Sequence, residues 1–203
     1  MRSFIVLAAL AAPLSSFANI LMANQTANNG TGGIFMDLTP TTAALEVFRF
    51  DSVFAAASGT AFQVQVWTRP GTYVGFTTAN TGWTLTQTVG GTSTGSTTMA
   101  AINLTSMLNL GAGQTTGVYL HSITTGNGMR YFGTGTTSNT NFSNADLALF
   151  SAHSRTGAVA FGGSQFTPRA LAGNVHYNVV PEPATMAVLG LGVAALIRKR
   201  RKA

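Results

Sequence analysis

The chain has 203 residues, no cysteine and a formal charge of +6, so disulfides, thiolate nucleophiles and cysteine zinc sites are excluded. Its basicity sits at the extremities, in Arg2 and in the run Arg198, Lys199, Arg200, Arg201 and Lys202. Between Asn19 and Val180 five arginines stand against four carboxylates with no lysine at all, which is not the clustered cationic face that nucleic-acid binding needs.

The chain opens with Arg2, an apolar run over 4–14, and a break at Pro13 to Ser16. Ser16 and Ala18 then place small residues at the −3 and −1 positions of a cut between Ala18 and Asn19. This order of basic, apolar and small residues reads as a secretory signal peptide over 1–18, handled by the Sec export machinery. A cut after Ala23 is less suitable, because Leu21 at its −3 position is bulkier.

The body, 19–178, reads as strands. Residues 25–33 are a polar Asn/Gly lead-in, mobile or at an edge. Short apolar-rich runs follow: GIFMDLT (33–39), LEVFRFD (45–51), AFQVQVWT (61–68), WTLTQTV (83–89), AINL (101–104), TGVYLHS (116–122), DLALFS (146–151) and NVHYNVV (174–180). In the third, Phe62, Val64 and Val66 share one face and Gln63 and Gln65 the other, a period of two. Turns are expected at Arg69-Pro70-Gly71, Val89-Gly90-Gly91, Gly126-Asn127-Gly128 and Gly162-Gly163. Phe54 to Ala57 suit a single helical turn, and 92–98 and 134–141 read as exposed loops. About eight or nine strands without interleaved helices predict an all-β, antiparallel two-sheet sandwich or jelly roll.

The body offers little chemistry. Asp37, Glu46, Asp51 and Asp146 are its only acids, read as surface or turn carboxylates and not as a glycosidase pair. His121, His153 and His176 lack metal-ligand spacing, and no Asp-rich run marks a calcium loop. No metal and no cofactor is expected. Gly91-Thr92-Ser93-Thr94-Gly95 matches G-x-S-x-G formally, but no apolar helix follows it, so it is not a nucleophile elbow. Thr84, Thr86 and Thr88 would line one strand face, an arrangement that invites an ice-binding reading and is better explained as ordinary surface threonine. Trp67, Tyr73 and Trp83 are the candidate carbohydrate contacts, weighed against a simple core role. Asn103-Leu104-Thr105 is a glycosylation sequon.

The chain closes with Val180-Pro181-Glu182-Pro183, an apolar or small stretch over 184–197, and the basic run 198–202. Fourteen helical residues cover about 21 Å, short of the roughly 30 Å hydrocarbon core. The cations after it hold that end on the cytoplasmic side, and their long side chains extend a short span by snorkelling. The moderate hydrophobicity suits a short, transient transmembrane helix.

This three-part tail, 179–203, resembles the PEP-CTERM sorting signal, also named an ice-binding protein C-terminal domain, a label that describes the tail only. The resemblance implies that Pro181, Glu182 and Pro183 are recognised by an exosortase, a membrane-embedded cysteine transpeptidase-like enzyme, and that the tail is removed near them. This chain would then be the substrate and not an enzyme. Parts of the body are similar to an uncharacterised module of secreted bacterial proteins, through 62–76, 82–85, 142–150 and 161–177. That similarity implies no activity; it makes Tyr73, Trp83 and Phe166 sheet or turn anchors and sets Arg69 and Arg169 at loop edges. The sequence therefore predicts an exported protein passing through an inner-membrane intermediate to the cell surface or the medium. A non-enzymatic surface, exopolysaccharide or biofilm-matrix component is the first reading. The alternatives are a secreted module binding extracellular polysaccharide and, behind it, an ice-binding protein or a secreted hydrolase.

Overall fold

In the computed structural model, residues 18–133 and 139–181 are described, and they form thirteen β-strands and no helix. These are β1 (Asn19–Met22), β2 (Asn29–Pro40), β3 (Leu45–Phe54), β4 (Ala61–Pro70), β5 (Thr84–Thr92), β6 (Met99–Leu110) and β7 (Thr116–Ser122). After them come β8 (Met129–Phe132), β9 (Asn141–Ser143), β10 (Leu147–Thr156), β11 (Gln165–Phe166), β12 (Ala170–Leu171) and β13 (Gly173–Val179). The ladders between these strands are antiparallel. The signal-peptide residues 1–17, the stretch 134–138 of one expected loop, and the tail from Glu182 through the 184–197 span to the 198–202 run lie outside the described residues.

The fold is sandwich-like. One set of neighbours runs β1-β13-β3-β6 and the other β9-β10-β2-β7-β4-β5. The two sets are hydrogen-bonded into one network, because β8 pairs with the start of β2 and the end of β3. At the other rim β5 and β6 meet without a ladder. There the Gln87 amide donates to Ser106 O (2.7 Å) and accepts from Thr105 N and its hydroxyl (2.8 Å each).

Alternation buries one face of each set. Ile34, Met36 and Leu38 of β2, Val64 and Val66 of β4, and Val118 and Leu120 of β7 pack with Leu45, Val47 and Phe50 of β3 and Val175 and Tyr177 of β13. The parity of β3 changes between Val47 and Phe50 because the register with both neighbours shifts at Phe48. Such a bulge puts one extra residue into a strand and re-aims everything after it.

Several local expectations are corrected. The lead-in at 25–33 ends early, since Asn29 to Gly33 already belong to β2. Val89-Gly90-Gly91 is not a turn: β5 runs through it, and Gly91 lies under the Phe62 ring, where a Cβ would sit 2.3 Å from the ring carbon. Phe54 ends a strand and starts no helix. The expected 92–98 loop begins inside β5 and contains the buried Ser93, and Asn141 opens β9.

Candidate functional site

The second face of β10-β2-β7-β4 is covered rather than solvated. Residues paired across a ladder share a face, which sets His153, Phe35, Tyr119 and Trp67 in one row across the sheet. Phe35 and Tyr119 stack with centroids 3.8 Å apart and planes 3° apart, and Trp83 and Phe161 close over them from two loops. Continuous apolar runs such as Ile34-Phe35-Met36 are what a strand buried on both faces requires. Beside this row lies another, Arg155, Gly33, His121 and Gln65. Gly33 has no room for a side chain, since a Cβ would lie 2.5 Å from the His121 Nδ1 atom and from Leu120 O.

Polar groups pin the covering loops. Arg155 Nε donates to Thr77 O (2.6 Å), while another of its nitrogens donates to Gly162 O (3.1 Å) and Gly163 O (2.9 Å), so one guanidinium ties both loops to the sheet. The Asp37 carboxylate accepts from Tyr73 N (2.8 Å) and the Thr72 hydroxyl (2.5 Å). Burial raises its pKa above the usual carboxylate value, and those bonds and the nearby Arg69 only partly offset that. The Tyr73 hydroxyl accepts from Ala152 N (2.8 Å), and burial pushes its pKa upward. The Trp83 indole donates to Phe76 O (2.7 Å). His121 is 0% exposed, has its Nδ1 2.7 Å from the Tyr119 hydroxyl and its Nε2 without a partner, and burial lowers its pKa to about 4.

Two clefts open at the margins of this covered face. One, of about 570 Å³, runs between Trp67, Gln65, Asn80 and the loop that carries Phe161. The other, of about 460 Å³, lies over Asp37, Thr72 and Phe150. This settles the placement of the three candidate sugar contacts. Tyr73 is 0% exposed and Trp83 8%, so neither offers a ring face to a glycan, and both are core, as their strand context allows. Trp67 is half-buried, lines the larger cleft and donates to the Gln65 side-chain oxygen at 3.1 Å.

The other candidates separate in space. Thr84 and Thr88 do not share a face, because the register of β4 and β5 shifts at Thr86. Thr84 pairs with Thr68 and Thr88 with Gln65, on opposite sides. Ser93 is 1% exposed and its hydroxyl donates to Ala56 O at 2.9 Å, which leaves it structural. Asp51 and His176 do meet, at 2.6 Å, on the outer face of β3 and β13. Burial alone would raise the Asp51 pKa, but bonds from Asn174, His176 and Arg49 outweigh it and lower the value. Its oxygens are thus already engaged, with Arg49 Nε at 2.7 Å and Asn174 at 3.0 Å. Among the described residues no three His, Asp or Glu side chains converge as a metal site would require.

The remaining candidate is the exit of the domain. Val180 N donates to Ala44 O at 2.8 Å, and Pro181 is exposed immediately beyond it. Asn19 pairs with Tyr177 across the β1–β13 ladder, which sets Ala18 and Asn19 beside that exit. Glu182 and Pro183 of the triplet lie outside the described residues. Residues 179–202 match the PEP-CTERM protein-sorting motif. No curated protein matches the chain. The motif therefore begins on Val179, the last residue of β13, so the folded domain and the sorting signal abut without a linker.

Proposed function

We propose that this chain is an exported β-sandwich whose C-terminal signal is recognised at Pro181, Glu182 and Pro183 and cut by an exosortase. The single observation that carries this is the sorting motif starting where β13 ends, with Pro181 exposed. Residues 1–18 act as the signal peptide removed before Asn19, 184–197 as a transient inner-membrane span, and Arg198, Lys199, Arg200, Arg201 and Lys202 as its cytoplasmic stop. The processed domain serves outside the inner membrane as a non-enzymatic surface, exopolysaccharide or biofilm-matrix component. The engaged Asp51 carboxylate and the buried Ser93 hydroxyl support a role without catalysis. In the producing cell, Glu182→Ala should leave the tail attached and the protein in the inner-membrane fraction, as should loss of the exosortase. Normal tail removal in both would refute the reading.

A second reading, a polysaccharide-binding module, is favoured by one observation: the half-buried Trp67 indole flanks a cleft bordered by the amides of Gln65 and Asn80. Aromatic faces with neighbouring amides suit neutral sugars. Trp67→Ala should abolish retention of the processed protein on the host's purified polysaccharide, read by co-sedimentation. Unchanged retention would remove this reading.

A further inference from the structure

The end of the domain that carries the exit is a single hydrogen-bonded platform. Three turns and both chain passages meet there: 41–44 between β2 and β3, 111–115 between β6 and β7, and 144–146 between β9 and β10, with the start of β1 and the end of β13. Thr41 N donates to Asp146 O (2.8 Å) and its hydroxyl to Ala145 O (2.6 Å). Gly113 N donates to Pro40 O (2.9 Å), and Val180 N to Ala44 O (2.8 Å). The Asn144 amide donates to Ile20 O (3.2 Å), and the Asn19 amide to the Asp146 carboxylate (3.2 Å). Tyr177 donates to that same carboxylate at 3.1 Å. The turns thus hold one another as well as both passages.

The chain between the platform and the apolar run is short. Val180 is hydrogen-bonded to the domain, and the apolar run begins at Ala184. Four residue steps cover at most ~14 Å at full stretch, of which the polar layer on each side of a bilayer core takes roughly 5–8 Å. While the tail is attached, the platform is held at the membrane surface. An enzyme cutting within 181–183 meets it. A lipid surface is the weaker partner for this end, because attraction to anionic headgroups depends on clustered cations. The three turns contain no Lys or Arg, and Glu46 and Asp146 are the charges beside them. Arg69, at the end of β4, is turned onto the Phe76 ring, 3.2 Å from its centroid.

We propose that this platform is the docking face that the folded domain presents to the membrane-embedded sorting enzyme, which reads the three turns together with the Pro-Glu-Pro triplet. The inference rests on the processing reading above. The antiparallel pairing of β1 with β13 sets Asn19 opposite Tyr177, so the signal-peptide cut lies at the same end, on the neighbouring strand and three residues short of Val180. Both processing events therefore address one end of the molecule.

The test is site-specific photo-crosslinking of the full chain in cells carrying a tagged exosortase. A benzophenone residue is placed singly at the exposed Thr42, Ala112 or Ala145 on the platform, or at the exposed Ser58 or Thr125 at the opposite end. Adducts with the enzyme from the three platform positions, and their loss at the two opposite ones, are expected. Adducts with phospholipid alone, or equal enzyme adducts from both ends, overturn the proposal. Tail removal is followed in the same cells by mass: an uncut wild-type chain would sink the processing reading, whereas normal cutting without platform adducts would sink only the docking face.

Discussion

Replacing His121 by leucine should remove a specific part of the pH dependence of stability. The ring is fully buried among Tyr119, Gly33 and Gln65, and its Nε2 has no partner, so a proton there creates a buried and poorly compensated cation. Its pKa falls from 6.5 to about 4 on folding, with burial as the cause. Between those values the unfolded chain binds a proton that the folded one refuses. Stability is therefore complete above the unfolded value and is lost as pH falls toward the folded one. The slope approaches about 1.4 kcal/mol per pH unit, or about 3 kcal/mol across the window. Other groups act nearby: burial lowers His153 too, with the same sign, while the raised Asp37 acts oppositely, favouring the folded state as the carboxyl protonates. Comparing the wild type with His121→Leu at each pH cancels those shared terms. Urea unfolding of the mature protein from about pH 7.5 down to about pH 4.5 should show the wild type losing about 2.5 kcal/mol relative to the variant. Curves that stay parallel would show that His121 does not titrate as its burial requires, and the argument for a water-excluded second face would fall with it.

Three further perturbations test the packing. Phe35→Ala removes a ring stacked 3.8 Å from Tyr119, and should cost about 3–5 kcal/mol in chemical denaturation; a loss below about 1 kcal/mol would mean that the covered face is loose. Gly33→Ala drives a Cβ to 2.5 Å from Leu120 O, a backbone atom that cannot step aside, and should destabilise by about 1–3 kcal/mol or more, read as a lowered Tm. Gln87→Ala deletes the staple between β5 and β6, at a cost of about 0.5–1.5 kcal/mol because water reaches the freed groups, with faster hydrogen exchange at the Thr105 and Ser106 amides as the local signature.

The long strands were legible because their residues alternate: Phe62, Val64 and Val66 point inward, as a period of two demands. The short ones were not. β8 is only Met-Arg-Tyr-Phe, too brief to show a period, yet it joins the two strand sets. Bulges hid two facts, the flip of β3 after Val47 and the separation of Thr84 from Thr88, because the extra residue, Phe48 or Thr86, shows only against the register of the partner strand. The second aromatic face left a signal in the unbroken Ile34-Phe35-Met36 and Val118-Tyr119-Leu120 runs, which alternation alone does not explain. What covers it is two loops tied by Arg155, and the tie to the Thr77 loop crosses 78 positions of sequence. Gly91 illustrates the same limit, since a glycine pair in sequence reads as a turn until the Phe62 ring above it is known. The sorting motif was the clearest feature of all, because its three unlike parts are contiguous.

The most direct measurement is the intact mass of the exported protein purified from the producing cell. A single species beginning at Asn19 and ending close to Pro181 is the predicted result. A mature protein that still carries residues 184–203 would contradict the account at its centre.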